Sequence, residues 1–152
     1  MLKTVFPKLE KLTITNNTNN LYVFNITDVL TAFPYLKLLT ICCHTPKNWI
    51  IEVLQLGNLA LDILTIYYDE SSQFEVFSFY DILRILKTQK PGFTLIISVT
   101  DDTGRFDVYF SQLKQFFDIN TKQGYRSRGK ICTAFRVYYQ DTMTSYIVPS
   151  SL

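Results

Sequence analysis

Three clusters in the 152-residue chain carry residue types with chemistry of their own. The first is Cys42-Cys43-His44, which holds the only histidine. Thiolate and imidazole together suit a metal ion or a nucleophile. Zinc ligands, however, come as spaced pairs, and neighbours on a strand point to opposite faces, so Cys42 and Cys43 do not share a site. The second cluster is acidic: Asp69-Glu70 and Asp101-Asp102-Thr103-Gly104. Paired carboxylates suit acid–base work or a cation, yet no partner residues accompany them, and Asp101 to Gly104 has the composition of a turn. The third is Lys122-Gln123-Gly124-Tyr125-Arg126-Ser127-Arg128-Gly129-Lys130. Basic residues around a tyrosine and two glycines can grip phosphate and stack a base, dock an acidic partner, or form a solvated loop. A Gly-rich phosphate loop, Gly-x-Ser-x-Gly and His-Glu-x-x-His are all absent from the sequence. The expectation is a protein that is not an enzyme and needs no metal or cofactor.

Composition sets what can position these residues. Apolar types make up 47 % of the chain, charged types 18 % and aromatics 15 %, which excludes a disordered chain and supplies surface for a core. Net charge is +2, too little for a global nucleic-acid footprint. The basic residues are nonetheless concentrated: Lys122, Arg126, Arg128, Lys130 and Arg136 fall in a stretch without one acid. Three cysteines cannot all pair, so free thiols in a reducing, intracellular compartment (cytoplasmic or nuclear) are expected. The longest apolar stretch, Trp49 to Tyr68, contains Glu52, Gln55, Asn58 and Asp62, and reads as helix then strand rather than a membrane span.

An internal repeat organises the chain. Phe6-Pro7-Lys8-Leu9-Glu10-Lys11-Leu12-Thr13-Ile14 recurs 27 residues later as Phe33-Pro34-Tyr35-Leu36-Lys37-Leu38-Leu39-Thr40-Ile41. Further copies are Leu61-Asp62-Ile63-Leu64-Thr65-Ile66, the weaker Gly92-Phe93-Thr94-Leu95-Ile96-Ile97 and a degenerate Cys132-Thr133-Ala134-Phe135-Arg136-Val137. Each reads as a short strand. Between them, apolar residues recur at helical spacing: Ile26, Val29, Leu30, Phe33; Ile50, Val53, Leu54; Phe79, Ile82, Leu83, Leu86; and Phe106, Tyr109, Phe110, Leu113. Asn25 and Ser78 are cap types, and Pro46 suits a first helical position. The tract Ser71 to Glu75 reads as a surface loop that lengthens one repeat. Units this short must stack to bury a core. The expected fold is α/β: four strand–helix units over residues 1–118, then the basic loop and a C-terminal hairpin, turning at Gln140 to Met143, in the same domain.

Leu9-x-x-Leu12-x-Ile14-x-x-Asn17 resembles the leucine-rich-repeat signature, and the irregular lengths and aromatic helices most resemble the repeat region of F-box/leucine-rich-repeat proteins. The resemblance implies a short solenoid, with parallel strands on one face, helices on the other and the hairpin as a cap. It also implies that residues between the buried strand positions face a concave side: Lys11, Thr13, Thr15; Leu38, Thr40, Cys42; Ile63, Thr65, Tyr67; Thr94, Ile96, Ser98. The second copy in this chain ends in His44 and the third in Asp69, where the signature has Asn or Cys. The first strand begins near Met1 without a capping repeat, so its edge is expected to pair with further repeats or another chain.

Leu38, Ile63, Tyr67 and Ile96 are apolar on a side that should be wet, which points to a protein partner. The resemblance implies substrate recognition in an F-box type ubiquitin ligase. The alternative is RNA or anion binding through Lys122, Tyr125, Arg126, Arg128 and Lys130. That alternative predicts that replacing Arg126, Arg128 and Lys130 with Ala abolishes a salt-dependent interaction. A filter-binding assay on single-stranded RNA at low salt decides it, and no binding by the unaltered chain dismisses it.

Overall fold

The computed structural model describes residues 8–15, 25–43, 47–69, 74–121 and 132–149. Strand and helix alternate through β1 (Lys11–Thr15), α1 (Ile26–Ala32), β2 (Leu38–Cys42), α2 (Asn48–Leu56), β3 (Ile63–Tyr68), α3 (Phe79–Thr88), β4 (Thr94–Val99) and α4 (Asp107–Asn120). Two strands, β5 (Cys132–Tyr139) and β6 (Thr142–Pro149), complete the order. Local chemistry sets several boundaries. Asn25 Oδ1 accepts from the Asp28 N–H at 3.2 Å and opens α1. Gly57, at φ 72°, closes α2 in the left-handed region that only glycine enters freely. Ser78 flanks α3 without a side-chain capping bond. Helix α2 starts at Asn48, two residues beyond the expected Pro46, which lies with His44 and Thr45 outside the described residues. Helix α4 runs to Asn120, past the boundary expected at residue 118.

The six strands form one sheet in the order β1-β2-β3-β4-β5-β6. The first five are parallel and β6 returns antiparallel to β5 as the expected hairpin. A parallel crossover is right-handed, and a chain that always advances in the same direction with that hand lays every helix on the same side of the sheet. Burial agrees. Leu39, Ile41, Leu64, Ile66, Leu95, Ile97, Phe135 and Val137 are all buried, and they form one alternating set beneath the helices. The repeat copies fall into register: Leu39 beside Leu64, Leu64 beside Leu95, Leu95 beside Phe135. Gly92 and Cys132 therefore occupy equivalent places just before that row.

The sheet is not curled. The strand face is therefore no concave trough, contrary to what the repeat resemblance implies. Curvature in a stacked-repeat protein accumulates from a small rotation per repeat. Here the strands in register are separated by 27, 25, 31 and 40 residues, so the steps are few and unequal.

A second correction concerns the tract read as a surface loop. Residues 71–73 are outside the described set, but Phe74 is buried at 4 % exposure. Its ring packs edge-on against Tyr68, Phe77 and Phe106 at centroid distances of 5.2, 5.8 and 4.9 Å, and stacks with Phe110 at 5.4 Å. The longer repeat thus inserts an aromatic plug between β3, α3 and α4. Polar groups in the core are also paired. Gln89, fully buried, accepts from the Leu59 N–H at 3.0 Å and donates to the Gly57 carbonyl at 2.8 Å, tying the end of α3 to the turn before β3. Among the described residues no helix is long and apolar enough to cross a membrane.

Removing the plug ring leaves a cavity that its five aromatic neighbours cannot fill. Phe74→Ala is expected to lower the unfolding free energy by about 3–5 kcal/mol, measured by urea denaturation. A cost close to that of an exposed substitution would contradict the plug.

Candidate functional site: the open face of the sheet

The strand residues that point away from the helices lie on three cross-strand rows. Lys11, Leu38, Ile63, Thr94, Ala134 and Ile147 form the first. Thr13, Thr40, Thr65, Ile96, Arg136 and Ser145 form the second. The third runs through Thr15, Cys42, Tyr67, Ser98, Tyr138 and Met143, with β2 and β3 aligned by the same register. All eight residues expected to bind a partner (Lys11, Thr13, Leu38, Thr40, Ile63, Thr65, Tyr67 and Ile96) therefore share one surface. No described element covers it.

The centre of this face is apolar. Leu38, Ile63, Ile96 and Ile147 are half-buried by their neighbours, Tyr67 and Tyr138 are each 39 % exposed, and Met143 is 52 % exposed. Thr65 is buried in the middle row. Among the strand residues on this side the only charges are Lys11 and Arg136, both exposed and both positive. Cys42 lies at its rim, where burial and then the nearby Asp69 charge push the thiol pKa up, away from reactive thiolate. Cys43 points the other way into the core, so the two cysteines are split between faces.

The turn expected at Asp101 to Gly104 is present and has a further task. Asp101, buried beyond the end of β4, accepts from the Thr103 N–H at 3.2 Å, the Thr103 hydroxyl at 2.9 Å, the Phe106 N–H at 2.9 Å and the Tyr139 hydroxyl at 2.8 Å. Burial alone would raise its pKa; the donors outweigh it and hold the carboxyl below the ordinary value. Tyr139 also donates toward Asp107, so a single phenol proton faces two carboxylates. Burial, and then these two acceptors, push the Tyr139 pKa up. Gln140, in the left-handed region at φ 56°, donates its side-chain amide to the Asp101 carbonyl. The node clamps the hairpin to the start of α4 and so fixes where Tyr138 and Met143 stand on the open face.

On the opposite side of the sheet, a cleft of about 390 Å³ lies between α4 and the hairpin, floored by Phe110, Leu113, Val137 and Tyr146 and rimmed by Asp107, Ser111 and Lys114. Tyr146 is buried, and its hydroxyl is the one buried side-chain polar atom among the described residues without a hydrogen-bond partner. Burial and then the Asp118 charge push its pKa up to about 12, and the neighbouring Thr144 opposes this.

Lys122, Tyr125, Arg126, Arg128 and Lys130 lie outside the described residues, as do His44 and Glu70. The sequence reading missed Tyr138, Met143 and Ile147 as members of the open face. Their signal was the alternation of the terminal hairpin, which continues the same face once its register with β4 is known. Among the described residues, fold and face together describe an α/β protein whose sheet is covered by helices on one side only. No family model, no curated protein and no solved structure matches the chain.

A carboxylate with a depressed pKa adds stability that is present above the ordinary Asp value of about 3.9 and is lost as pH falls through the lower folded value. Asp101→Asn is accordingly expected to melt several degrees lower than the unaltered chain at pH 7. The variant should also lose less of its melting temperature on acidification below about pH 4. Thermal melts followed by circular dichroism from pH 2 to 7 measure both, and parallel curves would refute the clamp.

Proposed function

We propose that this protein is a non-catalytic interaction domain that binds a protein partner on the open face of its sheet. One observation carries the reading: parallel strands are normally buried on both faces, yet here one face lacks a described cover and is apolar at its centre. Aromatic anchors such as Tyr67 and Tyr138, with aliphatic side chains between them, have the composition of a protein-binding surface core. The two cations at Lys11 and Arg136 define the partner's chemistry further: an apolar segment flanked by acidic residues. Thr13 and Thr40 in the middle row offer hydroxyls for hydrogen bonds within such a contact.

The leucine-rich-repeat architecture belongs to this reading, supported by the register of the repeat copies and the placing of every helix on one side. The resemblance to F-box/leucine-rich-repeat proteins extends it to substrate recognition in a ubiquitin ligase, in which case a ligase adaptor accompanies the partner.

Affinity capture from the native cell, with mass spectrometry of what is retained, tests the proposal. Ile63→Asp places a charge in the apolar centre, and Tyr67→Ala removes an exposed anchor. Each is expected to weaken capture about tenfold or more while the circular dichroism spectrum is unchanged. Undiminished capture by both folded variants would overturn the assignment.

A further inference from the structure

The two edges of the sheet are unlike. Edge strands invite pairing with other chains, and proteins protect them with charge, proline, a bulge or shortness. Strand β1 is five residues long and carries Lys11. Strand β6 is eight residues long, Thr142-Met143-Thr144-Ser145-Tyr146-Ile147-Val148-Pro149, has no charged residue, and pairs with β5 residue for residue without a bulge. Its only proline is the last residue. On its far side it pairs with no described strand. The cleft of about 390 Å³ opens beneath this same edge, between β6 and α4.

The rim of that cleft identifies the occupant. Asp107, Ser111 and Lys114 lie four and three residues apart on α4, forming one stripe along the cleft. The stripe runs from an acid through a small residue to a base, and the base also reaches Asp118 on the next turn at 2.6 Å. A two-fold axis passing at Ser111 sets the acid of each copy against the base of the other. We infer that the occupant is a second copy of this chain: β6 pairs antiparallel with β6 of the partner subunit, and the two α4 helices meet beneath the joined edge.

The dimensions agree. Phe117 of α4 packs against both Phe135 of β5 and Tyr146 of β6, at 5.0 and 5.1 Å, so α4 lies under the hairpin between its two strands. With strands about 4.8 Å apart, two helices so placed come to about 10 Å across the two-fold axis, the contact distance of packed helices. Because β6 lacks charge, its self-pairing sets no like charges opposite one another. Antiparallel pairing of this kind puts the axis perpendicular to the sheet. Both open faces then lie on the same side of a twelve-stranded surface, and the partner-binding reading gains a second, adjacent copy of its site without depending on it.

Sedimentation velocity on the full 152-residue chain tests the dimer. The expected result is a monomer–dimer equilibrium with Kd in the range of about 1–10 µM. Lys114→Glu, at an exposed position, should weaken it at least tenfold, and Lys114→Arg should leave it unchanged. Ser145→Lys, which sets like charges close together across the edge, should weaken it as well. Circular dichroism confirms that each variant folds. A chain that stays monomeric at about 100 µM, or a dimer indifferent to these variants, would overturn the inference. Open-ended oligomers would also overturn it, in favour of head-to-tail pairing between β6 and the β1 edge.

Discussion

The structure depends on the constraint that five parallel strands, laid down in sequence order, are each joined to the next by one helical crossover. The crossovers share one hand and one direction, so the helices cannot alternate between faces as they do in sheets covered on both sides. One side of every strand is then covered by helices, and no described element covers the other. The chain concentrates its leucines, isoleucines and aromatic rings on the sealed side. It still leaves Leu38, Ile63 and Ile96 on the open one. The candidate site is therefore a consequence of connectivity before it is a consequence of any particular residue.

Irregularity in the repeats has its own uses. In the longer repeat Phe74 packs into the space between β3 and α4 instead of facing solvent. At the C-terminal end the pattern stops repeating and reverses. The hairpin replaces a further helix-bearing unit and is held by the Asp101 carboxylate, which draws together Thr103, Phe106 and Tyr139 from three places in the chain. That reversal also creates an edge strand with a cleft beneath it. Core closure and edge exposure are two results of the same change in strand direction.

The two surfaces proposed to bind are of different kinds. The open face is broad, apolar at its centre and positively charged toward its ends, which suits a partner of complementary charge. The β6 edge is uncharged along the strand and carries opposite charges on the helix below it, which suits a copy of itself. One follows from side chains that alternate away from the helices, the other from backbone groups left at the end of a ladder.

Strand and helix positions were legible in the sequence because a repeated Leu-x-x-Leu-x-Ile pattern and a helical spacing each report a period that depends only on neighbours along the chain. The same holds for the face on which Lys11, Thr13, Thr40, Thr65 and Tyr67 lie, since alternation in a strand is local. The burial of Phe74 was not legible, because a phenylalanine after Ser-Ser-Gln looks the same whether it meets solvent or five other rings. Nor was the node at Asp101, whose partner Tyr139 is 38 residues away and whose hydrogen bonds exist only once the hairpin has docked. The sequence by itself determined the periods, and with them the order of elements and the alternation of faces. Tertiary structure alone decided which of those faces the helices cover, how flat the sheet lies and which edge strand pairs with no described strand on its far side. These depend on contacts between residues far apart in the chain, and a local pattern carries no information about them.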